Sequence, residues 1–239
     1  MNAERPRLYL LDVEGTVAPL TLTTAQLFPY ARKHFGEFLR NHPGDSGVQA
    51  DLKLLADENR AESGENCPKF SGETAGADAA LAYLLWLMDR DRKSTALKSL
   101  QGKVWKNGFE SGELKGTLFA DVPVAFARWS ASARIAIYSS GSVDAQRLLF
   151  RHTIYGDLTP HIAGYFDTRT GPKTSISSYI AIAMAMNVAL GEAIFFSDVV
   201  RELDAARDAG MQTRLVMREG DAPVDDEIAH ICVETFEGV

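Results

Sequence analysis

Four apolar residues, Leu8–Leu11, lie between Pro6 and Gly15 and read as a short buried strand, yet the next clear strand, Arg134–Tyr138, comes only after a long detour of other character. That detour reads as helix. From Tyr30, the residues Tyr30, Ala31, His34, Phe35, Phe38 and Leu39 recur at helical spacing, and Pro29 suits a first helical turn. Helices are expected over 48–59, 74–90 and 94–105, with Thr74 and Ser94 as N-caps and Ala77, Leu81, Leu84, Leu85 and Met88 as one apolar face. The Gly-, Ser- and Glu-rich stretch 59–76 reads as a loop.

After Gly116 strands and helices alternate. A helix following Asp121 and Pro123 is expected to bury Val124, Phe126, Ala127 and Trp129. Then come strand Arg134–Tyr138, helix 142–150, a short strand at Tyr165 and Phe166, helix 174–186, strand 193–196, a helix ending near Ala209 and strand 213–217. This pattern predicts an α/β fold, a doubly wound parallel sheet with helices on both faces. The expected organisation is a discontinuous core, residues 1–20 and 117–239, interrupted by a helical cap insertion at 21–116 above the sheet's carboxyl edge. Ligands of open α/β sheets bind outside the carboxyl ends of the strands, so polar residues there carry functional weight.

The net charge of −7 lies entirely in residues 219–239, which hold seven acids and no Lys or Arg, so residues 1–218 balance at 25 basic against 25 acidic. A balanced body with an acidic tail lacks the positive footprint that a nucleic-acid partner requires, and the tail itself reads as a solvated terminal segment. No apolar run approaches the roughly 20 residues of a membrane span, and the polar start of the chain does not resemble a signal peptide. A cytoplasmic protein, without nucleic-acid or membrane partners, is expected. Cys67 and Cys232 have no neighbours at disulfide or zinc spacing, and the five histidines form no ligand set.

Three expected strands end in polar residues: Asp12 and Glu14 after the first, Ser139 and Ser140 after the second, and Ser197 and Asp198 after a later one. Singly, an Asp after a strand is usually a turn residue or helix cap, and serines before a helix usually cap it. Together they gather three carboxylates at one edge, an arrangement that repels itself unless a hard cation such as magnesium intervenes. Ser139, Ser140, Gly141 and Ser142 would offer hydroxyls and N–H groups to a phosphate at a helix N-terminus. Lys173, in the turn Gly171-Pro172-Lys173, adds a fixed positive charge.

The ordered set Asp12-Val13-Glu14-Gly15-Thr16, Ser139 or Ser140 after a strand, Lys173, and Ser197-Asp198 followed by Glu202 resembles the haloacid dehalogenase superfamily of phosphotransferases. Glu14 stands where that superfamily's phosphatases usually carry Asp, which points to a narrower group. Leu27-Phe28-Pro29-Tyr30-Ala31, Leu100-Gln101-Gly102 with Trp105, Ser111-Gly112-Glu113-Leu114-Lys115-Gly116, Gly156-Asp157-Leu158-Thr159-Pro160 and Gly164-Tyr165-Phe166-Asp167 look like the acireductone synthases, the enolase-phosphatases of methionine salvage. The resemblance runs from about Leu8 to Met217 and is thin over 42–80. Val17 and Ala18 stand where that family usually has hydroxyl residues.

The resemblance implies a bifunctional enzyme that enolises 2,3-diketo-5-methylthiopentyl 1-phosphate and then removes its phosphate through an aspartyl-phosphate. Asp12 would be the nucleophile, and Asp12, Glu14 and Asp198 would hold one Mg2+ per subunit. Glu14 would be general acid and then base, while Ser139, Ser140, Gly141 and Lys173 would bind the phosphate. The cap would act as a lid, with Phe28, Tyr30 or Trp105 near the methylthio tail or packed in the cap's core, and Glu113 and Lys115 as hinge or lid contacts or ordinary surface charges; a monomer is expected. The competing reading is another phosphomonoesterase of the superfamily, for example one acting on phosphosugars, and Glu14 with the 111–116 segment argues against it.

Overall fold

The computed structural model describes residues 6–70, 76–218 and 229–239. These described residues fall into two compact units, one within 1–22 and 115–239, the other within 23–114.

The first unit is built on a six-stranded parallel sheet. Its strands are β1 (Leu8–Leu11), β2 (Arg134–Tyr138), β3 (Gly164–Phe166), β4 (Ala193–Ser197), β5 (Gln212–Val216) and β6 (Ile231–Val233), in the order β3-β2-β1-β4-β5-β6. β1 is central, with Leu8 paired to Arg134 on one side and to Ala193 on the other. All four of its residues are buried, as are the five of β4, which is why both read as continuous apolar runs rather than alternating ones. On one face Leu8, Leu10, Ala136 and Phe195 pack under Tyr179, Ile182 and Leu203. The helices there are α7 (Ile176–Ala185) and α8 (Val200–Ala209). On the other face Tyr9 stacks on Trp129 at 4.3 Å, and Trp129 in turn meets Phe196. Trp129 belongs to α5 (Asp121–Ser130), and α6 (Val143–Arg151) follows β2.

Three expectations need correction. α5 begins at Asp121 and buries Val122, Ala125, Phe126 and Trp129, whereas Val124 and Ala127 are exposed. The start of the helix sets its phase, and Asp121 is the first helical residue rather than one outside it. Residues 229–239 are no solvated tail either. β6 pairs in parallel with β5, the buried His230 ring bridges Thr213 and Asp204, and Phe236 is buried against Trp129 and Phe196. A short π-helical segment, Leu22–Leu27, also precedes the first helix of the chain, where no regular element was expected.

The second unit contains α1 (Phe28–Asn41), α2 (Ser46–Ala61), α3 (Ala77–Asp89) and α4 (Thr95–Ser111). Its core is Phe35, Leu39, Leu55, Tyr83, Leu84, Leu100 and Val104 with their neighbours. Ser94 caps α4, its side chain accepting from Leu97 N, as expected, while the Thr74 cap lies outside the described residues. α3 buries Ala80, Tyr83, Leu84, Trp86 and Leu87, and Leu81, Leu85 and Met88 flank that line half-buried. A helix apolar on nearly every side does not reveal its inward face by spacing alone.

Candidate active site

Since β2, β1 and β4 are neighbours, their carboxyl ends bring Asp12, Ser139, Ser140, Ser197 and Asp198 to one stretch of the sheet edge, where the strand order reverses direction. Asp12 N donates to Phe196 O, extending the ladder one residue past β1, and the side chain is buried. Two donors converge on its Oδ1: Val13 N at 2.7 Å and Lys173 Nζ at 2.6 Å. The chain then turns back tightly, with Val17 N and Ala18 N both donating to Val13 O and Gly15 N to Ala18 O. Gly15 has φ of 72°, and a Cβ there would collide with the Asp198 carboxylate, so glycine alone permits this approach. Glu14 sits half-buried on the same turn. Val17 and Ala18 are fully buried, so at these positions the turn packs into the core instead of presenting hydroxyls.

Lys173 reaches Asp12 from the loop before α7 and also pairs with Glu202 at 2.6 Å. Burial favours its neutral amine, but the two carboxylates outweigh that, and its pKa lies above the ordinary lysine value. The loop is held by three hydroxyls: Tyr138 donates to Gly171 O, Ser178 to Pro172 O and Tyr179 to Lys173 O, at 2.6 to 2.8 Å. Three consecutive carbonyls of the loop thereby find partners without secondary structure. Burial raises the Glu202 carboxyl, opposed by Lys173, and Glu202 also accepts from Ser197 Oγ.

Burial, and after it the charge of Asp12, push the Asp198 carboxyl up to about 6. Its Oδ1 is buried with no hydrogen-bond partner. A buried, unpartnered carboxylate oxygen facing a second carboxylate is what a hard cation would satisfy, and an all-oxygen donor set suits magnesium. Among the described residues no three His, Cys, Asp or Glu side chains form a group able to hold a metal ion. The expected trio of Asp12, Glu14 and Asp198 is therefore not assembled as a side-chain cluster, and such a cation would complete its shell with backbone carbonyls and water.

Ser139 is buried, with its Oγ accepting from Gly141 N, which leaves the hydroxyl proton free to be donated. Ser140 is exposed beside it. Ser142 caps α6 by accepting from Ala145 N. Gln146 and Asp167, neither of them expected as site residues, brace this loop. Gln146 Nε2 donates to Gly141 O and Phe166 O, and Asp167 accepts from Val143 N; the Arg169 guanidinium beside Asp167 holds its carboxyl below the usual range. Sequence spacing carried no signal for these side chains or for Tyr138, Ser178 and Tyr179; the last three lie on the apolar elements β2 and α7, where a hydroxyl reads as core packing.

In the helical unit, Phe28 stacks on Trp105, whose Nε1 donates to Leu27 O at 2.8 Å. Tyr30 donates to Glu113 Oε2 at 2.8 Å and stacks on His34. Burial, reinforced by the Glu113 carboxylate, pushes the Tyr30 phenol up to about 12.

A parallel sheet in this order, with an aspartate after its central strand and a buried lysine and a Ser-Asp step from the flanking connections, is the arrangement of a haloacid dehalogenase-type fold. The fold is shared with the HAD-hydrolase YfnB of Bacillus subtilis, solved bound to magnesium, with a TM-score of 0.59, 14% identity and coverage of 98% of this chain and 96% of that one. No family model matches the chain. It is 53% identical over 217 residues to the enolase-phosphatase E1 of Synechococcus elongatus, covering 90% of each protein. It is 39% identical to a probable bifunctional methylthioribulose-1-phosphate dehydratase/enolase-phosphatase E1 of Physcomitrium patens, over 95% of this chain and 46% of that protein. Among solved structures, the UTR4 protein of Saccharomyces cerevisiae superposes with a TM-score of 0.80 at 34% identity, covering 98% of this chain and all of that one. The chain belongs to the enolase-phosphatase E1 family.

Proposed function

We propose that the protein converts 2,3-diketo-5-methylthiopentyl 1-phosphate into the acireductone 1,2-dihydroxy-5-(methylthio)pent-1-en-3-one and phosphate, as a step of methionine salvage, acting as a cytoplasmic monomer. Its relatives' enolase-phosphatase name supports the reaction class. The other half of the moss relative is named for dehydration of methylthioribulose 1-phosphate, and loss of water from that ketose phosphate followed by ketonisation yields this diketone. Among the described residues no helix is long and apolar enough to cross a membrane.

The observation that carries the reading is the Asp12 carboxylate gripped on Oδ1 by Val13 N–H and Lys173. That grip orients Oδ2 for in-line attack on phosphorus. A carboxylate approaching a phosphate dianion meets like-charge repulsion, and Lys173, kept cationic by Asp12 and Glu202, offsets part of it. Ser139, Ser140 and Gly141 donate to the phosphoryl oxygens at the start of α6. As the bond to the leaving oxygen breaks, Glu14 protonates that oxygen; it then takes a proton from the water that attacks the aspartyl-phosphate. For the preceding enolisation, Glu14 is the carboxylate proposed to remove the proton from carbon 1. One Mg2+ per subunit would be held by Asp12, Asp198 and an oxygen of Glu14, and when bound it neutralises phosphoryl charge and polarises the diketone. Residues 21–116 are proposed as a helical cap insertion.

Turnover of the diketo phosphate against a panel of phosphosugars, with magnesium present, tests this reading. Enediol absorbance should appear together with phosphate, and the diketone should be strongly preferred. Preference for a phosphosugar would overturn it.

A further inference from the structure

The turn that carries Glu14 is gripped from the far end of the chain by a buried arginine. Arg218 follows β5 and its side chain is 5% exposed. Its Nε and Nη2 both donate to Thr16 O, at 3.0 and 2.8 Å. Its Nη1 donates to Asp121 Oδ2 at 2.8 Å and to Glu234 O at 3.1 Å. The guanidinium carbon lies over the rings of Phe119 and Phe236, 4.3 and 4.5 Å from their centroids. Asp121 Oδ2 also accepts from Phe236 N at 2.7 Å, and Phe119 N donates to Val17 O at 3.1 Å. Two adjacent carbonyls of the turn, Thr16 O and Val17 O, are therefore fixed by groups outside it.

We propose that Arg218, with Asp121 and the 234–236 segment, is a positioning clasp that fixes residues 13–18 and so sets where Glu14 stands relative to Asp12. A charge is not what the turn needs here, since the atom it presents is a neutral carbonyl. What it receives is a planar fork, two N–H groups aimed at one oxygen while the third edge binds Asp121, with the Phe119 and Phe236 rings packed against the guanidinium. Lysine has no such plane: its three N–H groups diverge from one nitrogen, so it cannot aim two parallel donors at Thr16 O while also reaching Asp121 and Glu234. The turn leans on Asp198 through Gly15, so a shift of the clasp would be passed to both sides of the site. The functional half of the proposal rests on the acid role given to Glu14 above.

Arg218→Lys keeps the charge and tests the clasp by two readouts. In the first, hydrogen exchange on the full-length protein, the amides of residues 15–18 should exchange at least about tenfold faster while those of β1, β4 and β5 are unchanged; unchanged exchange in the turn overturns the proposal, whatever Glu14 does. In the second, rapid-quench phosphorylation of Asp12 with magnesium present, the variant should be slowed at least about tenfold with an alkyl phosphate, as expected for a catalytic group displaced by a fraction of an ångström. With p-nitrophenyl phosphate, whose leaving group needs no proton, the rate should stay within about twofold. Equal slowing on both esters assigns Arg218 a merely structural role and overturns the positioning claim. Glu14→Gln is the reference. If it lacks the leaving-group split, the acid role of Glu14 fails and the clasp stands or falls on exchange; a split in Glu14→Gln but not in Arg218→Lys counts against Arg218.

Discussion

Lys173 is the residue on which the charge balance of the site turns. Both carboxylates it pairs with are largely buried, so Lys173→Met should destabilise the fold by about 3 kcal/mol or more, because removing one partner strands the others. Urea unfolding checks this, and Glu202→Gln in the same chain should restore a good part of the loss. Asp198 behaves in the opposite sense. Its folded carboxyl titrates at about 6, above the unfolded value near 4, so the fold prefers its protonated form. The stability this contributes is fully present below about pH 4 and is lost as pH rises through 6. Allowing for solvent screening, metal-free Asp198→Asn should exceed the parent by on the order of 1–2 kcal/mol at pH 7.5, with the gap closing at pH 4. The same difference at both pH values would contradict this. Gly15→Ala should cost at least about a hundredfold in turnover, since the new methyl group would drive the turn off Asp198.

At the scale of elements, the site depends on how loops are tied to helices. Ser142→Ala removes the cap of α6 and should cost about 1 kcal/mol of stability while weakening inhibition by inorganic phosphate, measured by thermal unfolding and by Ki. That cap, the strand ends and the conjunction of Asp12, Ser139 and Asp198 were legible in sequence, because a parallel strand buried on both faces is a continuous apolar run and its end is marked by the first polar residue. β6 was not. Two of its three residues are exposed, and it follows a stretch so acidic that composition points to solvent. The hydroxyls of Tyr138, Ser178 and Tyr179 were equally silent. An OH on a core helix or strand looks like packing until the carbonyl it serves is brought beside it, 33 residues away for Tyr138 and across the turn before α7 for Ser178 and Tyr179. Arg218 gave no signal for the same reason: its partners are at 16, 121 and 234.

For the whole molecule, one α/β unit is made from both ends of the chain around a helical unit, and the residues proposed for phosphoryl transfer all belong to the first. Its net charge says little about that chemistry, since the excess acid lies at 219–239, whereas at the site Lys173 pairs with Asp12 and Glu202 and leaves Asp198 for a cation. The central claim is that Asp12 carries the phosphoryl group between substrate and water. Quenching the enzyme in acid during turnover of the diketo phosphate with magnesium, then mapping the modified peptide, tests it most directly. The phosphoryl group should be found on Asp12 and be absent from Asp12→Asn, which should release neither phosphate nor acireductone. Undiminished turnover by Asp12→Asn, or a phosphoryl group on any other residue, would contradict the account.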